Sequence, residues 1–389
     1  MQRTCPFSPP LEYREIREEN AIARALLPSG RYAWLVTRHE DVRTMLADPR
    51  FSSDRRHPGF PLLIASPRVD PTFTPSLIAL DPPEHGPARR AVVAEFTLKR
   101  MQALRPRIQE IVDDRIGAML AGSRPADLVQ ALSLPVPSLV ICELLGVPYA
   151  DHDFFQSRSS LLFTRTTSVE ERQAGVNELR TYMDDLVTGK EHEPGDDLLG
   201  RQILKQRQTG TEDHAALVGL ALLLLIAGHE TTANMISLGT VALLEHPEQL
   251  ATIMADPGKT LDAVEELLRY FTIAESATAR VALEDVELAG MLIRVGEGVI
   301  ALGNAANRDP TAFEDPDTLD FDRGARHHVA FGFGAHQCLG QNLARMELQI
   351  TFDSLFQRIP GLRLATTVKE LQFKDDAFIY GVHALPVSW

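Results

Sequence analysis

Apolar positions in this chain recur mostly at the three-to-four-residue spacing of buried helix faces, and only locally at the two-residue spacing of strands. Residues 31–37, Arg-Tyr-Ala-Trp-Leu-Val-Thr, predict a short strand, followed by a helix from His39 to about Ala47. Residues 51–83 are rich in Pro and Ser without a sustained period, which predicts a long functional loop. From Glu84 to Leu145 the pattern is helical, with breaks expected at Pro106, Pro125 and Pro135. Asp151 to Gln208 is helical again, interrupted by polar stretches such as residues 189–197. Thr211 to about Leu244 predicts one helix of roughly nine turns at 3.6 residues per turn, and another helix runs from Lys259 to Tyr270. Strand-like fragments follow at 279–283, 286–288, 291–294 and 298–302. The last long helix spans Leu339 to about Phe356, with short hairpins expected beyond it.

The pattern is mainly α with small β-sheets and lacks strict βαβ alternation. Helix-rich segments cover 84–270 and 339–356, and β-rich portions cover about 31–37, 279–302 and 360–389. No linker or repeat divides the chain, so a single domain over residues 1–389 is expected.

With 44% hydrophobic and 24% charged residues, the chain has the balance of a globular enzyme, not of a disordered or fibrous protein. Its 39 Lys and Arg against 53 Asp and Glu give a net charge of −14, which argues against nucleic acid as a main partner. Three cysteines (Cys5, Cys142 and Cys338) are too few for a disulfide framework and suit a reducing cytoplasm. Residues 1–10 have no apolar core of a signal peptide. The most apolar run, 215–228, stops at His229-Glu230, short of the roughly 20 residues that cross a bilayer. A soluble, cytoplasmic protein with no membrane partner is expected.

Three tempting motifs fail. Gly258-Lys259-Thr260 lacks the earlier Gly of a phosphate-binding loop, because Ile253 stands there. His229-Glu230-Thr231-Thr232-Ala233 has Ala where a zinc-protease helix needs its second His. Gly332-Phe333-Gly334 opens like a dinucleotide fingerprint but lacks the third Gly.

The segment Phe331-Gly332-Phe333-Gly334-Ala335-His336-Gln337-Cys338-Leu339-Gly340 carries more. Two glycines two apart permit a tight turn and close backbone approach to a ligand. Leu339, Leu343, Met346 and Ile350 form a helical stripe after it, so Cys338 is expected at a helix start, where free N–H groups favour a thiolate. With no second cysteine nearby, tetrahedral zinc or an iron–sulfur cluster is disfavoured, and a single thiolate on haem iron suits the residues better. A buried structural Cys beside a turn is the alternative.

This segment resembles the Phe-x-x-Gly-x-x-x-Cys-x-Gly stretch of the cytochrome P450 family, with Phe331, Gly334, Cys338 and Gly340 at its four fixed positions. The resemblance implies a cytochrome P450 fold: a triangular, prism-like helical domain with haem between a distal long helix and a proximal Cys loop. It implies haem b (iron protoporphyrin IX) as cofactor and Cys338 as metal ligand. Phe331 would pack beside that ligand, Gly332 and Gly340 would shape the loop, and His336 would reach a haem propionate.

Other segments follow in the family's order. Ala227-Gly228-His229-Glu230-Thr231-Thr232 sets a carboxylate and hydroxyls in an apolar helix, which is costly unless they are satisfied or functional. Gly228 removes bulk where a ligand could approach, and no partner is evident for His229. By resemblance Ala227 and Gly228 border the distal haem face, Thr231 hydrogen-bonds dioxygen and Glu230 relays protons. The structural alternative is a Thr bonded back to its helix and a Glu in a salt bridge.

Glu266 and Arg269, three apart, resemble the family's Glu-x-x-Arg pair, and Arg323 its third member. His85 and Arg89, four apart at a helix opening, and Arg280 in Thr278-Ala279-Arg280 would bind the propionates, an anion guanidinium suits. Asn307-Arg308-Asp309-Pro310 matches a structural turn of the family.

The resemblance therefore implies a haem-thiolate monooxygenase that inserts one oxygen atom of O₂ into a small organic substrate. Hydroxylation or epoxidation, in secondary metabolism or xenobiotic oxidation, is the outcome expected of a soluble actinomycete-type member. Electrons would come from a ferredoxin with its ferredoxin reductase, since no flavin or nicotinamide fingerprint is present. Arg90, Lys99, Arg100 and Arg345 are candidates for a basic docking face, and a monomer is expected. By resemblance the pocket is lined by residues 51–83, 154–167, 223–228 and 273–279 and by Phe378, with Arg55, Arg56 and Arg68 lending polar character. Oxidative aryl coupling or peptide crosslinking, and a non-catalytic haem sensor or electron carrier, are the competing readings.

Overall fold

The computed structural model describes residues 3–63, 76–164, 166–274 and 278–389. Arg68 of the expected pocket loop lies outside the described residues. The N-terminal part runs α1 (Leu11–Glu19), β1 (Ile22–Leu26), β2 (Tyr32–Val36), α2 (His39–Ala47) and β3 (Phe51–Ser52). Helices α3 (His85–Val93), α4 (Leu98–Ala121), α5 (Pro135–Leu145), α6 (His152–Phe163), α7 (Val169–His192) and α8 (Leu198–Thr209) follow, with β4 (Ala126–Asp127) between α4 and α5. Then come α9 (His214–Glu245), α10 (Pro247–Ala255) and α11 (Thr260–Phe271). Strands β5 (Ala279–Ala282), β6 (Val286–Leu288), β7 (Met291–Ile293) and β8 (Gly298–Ala301) precede α12 (Gly303–Ala306), α13 (Gln341–Arg358), β9 (Arg363–Leu364) and β10 (Pro386–Ser388).

Helix α9 is the axis of the molecule. Helices α5, α7, α11 and α13 pack on it, and α4 packs on α13. Its length and apolar composition alone would let it cross a membrane, beyond what the run to Gly228 suggested. Here its apolar length is spent on neighbouring helices: Ala233 through Leu243 are all buried.

The main sheet has the order β1-β2-β8-β5-β3. Strand β2 runs parallel to β8, while β5 pairs antiparallel with both β8 and β3. Alternation sends Trp34 and Val36 to one apolar cluster and Ala33 and Leu35 to another, so the sheet is covered on both faces. Pairing of Ser52 with Val281 sets the 51–55 segment beside Arg280.

Several elements differ from the expected ones. The pattern missed α1, β1 and α10. Strand β1 reads Ile-Ala-Arg-Ala-Leu, with only Ile22 buried, and so offers little periodicity. Pro106 does not break α4 but sits inside it. Its ring and Gln102, whose carbonyl loses its partner, are both exposed, so water can satisfy that carbonyl. Pro135 opens α5, at a position where a missing N–H costs nothing. Helix α7 continues through the polar stretch to His192, started by a capping box between Ser168 and Glu171.

Candidate active site

The cysteine loop is built on two left-handed glycines, Gly332 at φ +70° and Gly334 at φ +73°. At Gly334 a Cβ would lie 2.6 Å from the Leu46 carbonyl oxygen, so the loop can seat against α2 only with glycine there. The Cys338 N–H donates to the Phe331 carbonyl at 2.8 Å, closing the loop. The Phe331 ring itself meets the Arg345 guanidinium, 4.6 Å from its centroid.

The expected thiolate at a helix start needs correction. Helix α13 begins at Gln341 with Gly340 as its N-cap, so Cys338 precedes the first turn. Burial pushes the Cys338 thiol up, and the Gly340 N–H with Arg89 and Arg345 only partly opposes this. The side chain nevertheless remains solvent-accessible. The sulfur is thus crowded by protein on one side and reachable on the other.

Helix α9 has the same signature. Ala227 is exposed although its neighbours Leu225, His229 and Glu230 are buried. Thr231 is half-buried and donates its hydroxyl to the Ala227 carbonyl at 2.7 Å. Gly228 serves a different end from the one expected. A Cβ there would come 2.9 Å from Ile141 Cδ1, so the glycine lets α5 and α9 approach each other. His229 does have partners: its Nδ1 meets the Leu225 carbonyl at 2.8 Å and its Nε2 the Ser159 hydroxyl at 2.9 Å, tying α9 to α6.

A basic cluster gathers four of the expected residues. The rings of His85 and His336 lie 4.1 Å apart, and His336 Nε2 is 3.1 Å from Ser53 Oγ. Arg89 donates to the Gln337 carbonyl at 2.6 Å, and buried Arg280 donates to the Ala279 carbonyl at 2.8 Å. Burial, reinforced by Arg280, His85 and Arg89, drives His336 down to about 3. Burial and Arg55 bring Arg280 down to about 10 against the pull of Asp81. Asp81 is already engaged by the Ser52 hydroxyl and, at 2.8 Å, by the Ser53 N–H. The buried His85 Nε2 has no hydrogen-bond partner.

Among the described residues this cluster is short of anions. Two guanidiniums and two imidazoles converge with one committed carboxylate, an arrangement that fits a ligand bearing carboxylates of its own. Together with the accessible Cys338 and Ala227, these residues fit a haem: a sulfur for its iron, a cleared helix face and basic residues for its propionates.

Glu230 is buried and accepts from Lys374 Nζ at 2.8 Å and from Asn234 Nδ2 at 3.2 Å. Burial raises its pKa, but Lys374, His229 and Asn234 more than offset that and hold the carboxyl below its ordinary range. Lys374 and Asn234 escaped the sequence reading; the one signal was an Asn four residues after Glu230 in an apolar helix.

The Glu266–Arg269 pair lies in the interior, not on the surface where such pairs contribute little. Both side chains are at most 1% exposed and their two contacts are 2.7 Å each. Arg323 joins Glu266 at 3.1 Å, and Arg269 also donates to the carbonyls of Asn307, Pro316 and Thr318. Asp309 caps α2 through the His39 N–H, and Arg308 donates to the Phe7 and Tyr270 carbonyls, in keeping with a structural turn. Arg345 is no free docking cation, because Glu265 holds it at 2.5 and 3.1 Å. Arg90, Lys99 and Arg100 are exposed.

A cytochrome P450 family model matches residues 259–360. The chain is 53% identical to pentalenic acid synthase of Streptomyces avermitilis, over 100% of this chain and 96% of that protein. It is 49% identical to vitamin D3 dihydroxylase of Streptomyces griseolus, over 100% and 95% respectively. Among solved structures, cytochrome P450 MoxA from Nonomuraea recticatena superimposes with a TM-score of 0.92 at 60% identity, covering 100% of this chain and 97% of that one. The chain belongs to the cytochrome P450 family. It is a monooxygenase of small organic molecules that works with haem iron, O₂ and redox partners.

Proposed function

We propose that Cys338 would hold the iron of haem b through its thiolate, and that the enzyme hydroxylates or epoxidises an amphipathic product of bacterial secondary metabolism. The relatives named for pentalenic acid and for 20-oxo-5-O-mycaminosyltylactone support that substrate range. The observation that carries the ligand assignment is the accessible Cys338 beside a basic cluster that, among the described residues, lacks its anions. Arg89, Arg280, His85 and His336 would hold the propionates. Haem iron, when bound, supplies O₂ activation, with the thiolate donating electron density that favours O–O cleavage.

The remaining work falls to side chains. Ala227 and Gly228 keep the α9 face shallow and closely packed. The Thr231 hydroxyl proton, parked on the Ala227 carbonyl, becomes available when that hydroxyl rotates. Glu230, held ionised, can take up a proton from solvent and pass it towards Thr231. Apolar side chains of α9, with Ile273 and Phe378, exclude water and orient the substrate. Electrons come from a ferredoxin and its reductase, docked near Arg90, Lys99 and Arg100. The working form is a monomeric, single-domain protein of the cytoplasm.

The carbon monoxide difference spectrum of the reduced protein tests the ligand. Wild type should give the thiolate-type band and Cys338→Ala should lose it completely. A variant that keeps the band refutes the assignment. Mass spectrometry of products then separates oxygen insertion, a gain of one oxygen, from coupling, a loss of two hydrogens.

A further inference from the structure

A C-terminal hairpin, closed by the antiparallel pairing of Phe373 with Val382, reaches α9 at two points one turn apart. Lys374 Nζ meets Glu230 Oε1 at 2.8 Å. Gly381 abuts Asn234 so closely that a Cβ would stand 1.8 Å from its Oδ1. Asn234 donates in turn to the same Glu230 Oε1 and, at 2.8 Å, to the Glu230 carbonyl. The Lys374 N–H donates to the Gly381 carbonyl at 2.9 Å, so the two contact points move as one. The hairpin also carries Phe378, whose N–H donates to Phe163 at the end of α6, and Tyr380, whose N–H donates to Ile273 beyond α11.

A buried carboxylate prefers its neutral form unless a cation answers it. For Glu230 that cation comes from the hairpin and not from α9. The other titratable neighbour, His229, has both ring nitrogens engaged by Leu225 and Ser159.

We propose that Lys374 is a positioning residue for proton handling. From the C-terminal hairpin, it keeps the Glu230 carboxylate ionised and aimed between itself and Asn234. The inference rests on the oxygenase reading, in which Glu230 serves Thr231. If the pair were merely structural, size and packing at position 374 would matter; in a positioning role the positive charge matters.

Infrared difference spectroscopy of the full-length, haem-loaded protein tests this without turnover. The Glu230 signal is the protonated-carboxyl band that disappears on Glu230→Gln. At neutral pH, Lys374→Gln should gain this band and Lys374→Gln/Glu230→Gln should lose it. Wild type and Lys374→Arg should lack it. No new band in a folded Lys374→Gln protein, or the same band in Lys374→Arg, overturns the proposal. Titration of wild type alone gives an arm that needs no variant at position 374. Its Glu230 band should emerge only below the ordinary carboxylate range, and emergence within or above that range also overturns the proposal. A negative result here leaves the haem ligand untouched, because the carbon monoxide spectrum judges that separately.

Discussion

Two polar clusters in this molecule are both built around a pair of arginines and differ in how far their polar groups are satisfied within the chain. Around Glu266, Arg269 and Arg323, the Glu266 carboxylate meets two guanidiniums, and the remaining guanidinium hydrogens go to backbone carbonyls. Around His85, Arg89, Arg280 and His336, among the described residues, each guanidinium makes one hydrogen bond to a backbone carbonyl, the Asp81 carboxylate is committed to Ser52 and Ser53, and the buried His85 Nε2 is orphaned. The first cluster is complete within the chain and holds the fold together. The second is complete only with an anionic ligand. Incompleteness, more than the presence of charge, separates a site from a scaffold here.

Removing one member from each cluster should therefore act in opposite ways. The largest effect is expected from Arg269→Ala, which leaves the buried Glu266 carboxylate with Arg323 as its one guanidinium partner and strips it of its two shorter contacts. It should cost about 3–5 kcal/mol in chemical denaturation. Arg280→Leu removes a cation that the chain itself does not neutralise. It should weaken haem retention by roughly 10–100-fold, the range for partners that orient a bound group from outside its ligands. The melting temperature of its haem-free form should stay level or rise. A fall comparable to that of Arg269→Ala would erase the contrast.

A smaller loss should follow Gly228→Ala. The added methyl must displace Ile141, at a cost of about 1–3 kcal/mol, while the carbon monoxide band persists.

The least effect at neutral pH concerns Glu265. Burial alone would raise its pKa, yet His328 and Arg345 bring it down to about 2. A carboxylate that titrates near 4.3 when unfolded then adds stability that is complete above that value. The contribution is lost as pH falls towards 2. The acid limb of the wild-type stability curve should thus be steeper than that of Glu265→Gln, as read from denaturation midpoints across that window.

Local signals in the chain were strong where one element sufficed to express them. Helix α2 was bounded correctly because its apolar stripe and flanks are contained in nine residues. Cys338, Gly334 and Phe331 were legible because a tight loop writes its glycines at fixed spacing. Pro106 misled, since its tolerance depends on which face of α4 meets solvent. Gly228 misled in the same way: the residue that needs it small belongs to α5. The weight of Glu266–Arg269 was invisible, because an i, i+3 pair reads alike on a surface and in a core.

By itself the sequence determined the helical class, the cysteine loop, the acid–hydroxyl pair on α9 and the family these define, all carried by short spacings. Only the tertiary structure decided that Glu230 is answered by Lys374, some 144 positions away. It alone also showed that His229 is spent on Ser159 and that four basic residues converge without their anions. Such pairings depend on which surfaces the packed helices bring together. Burial then fixes the energetic value of each charge, and no local pattern encodes burial in full.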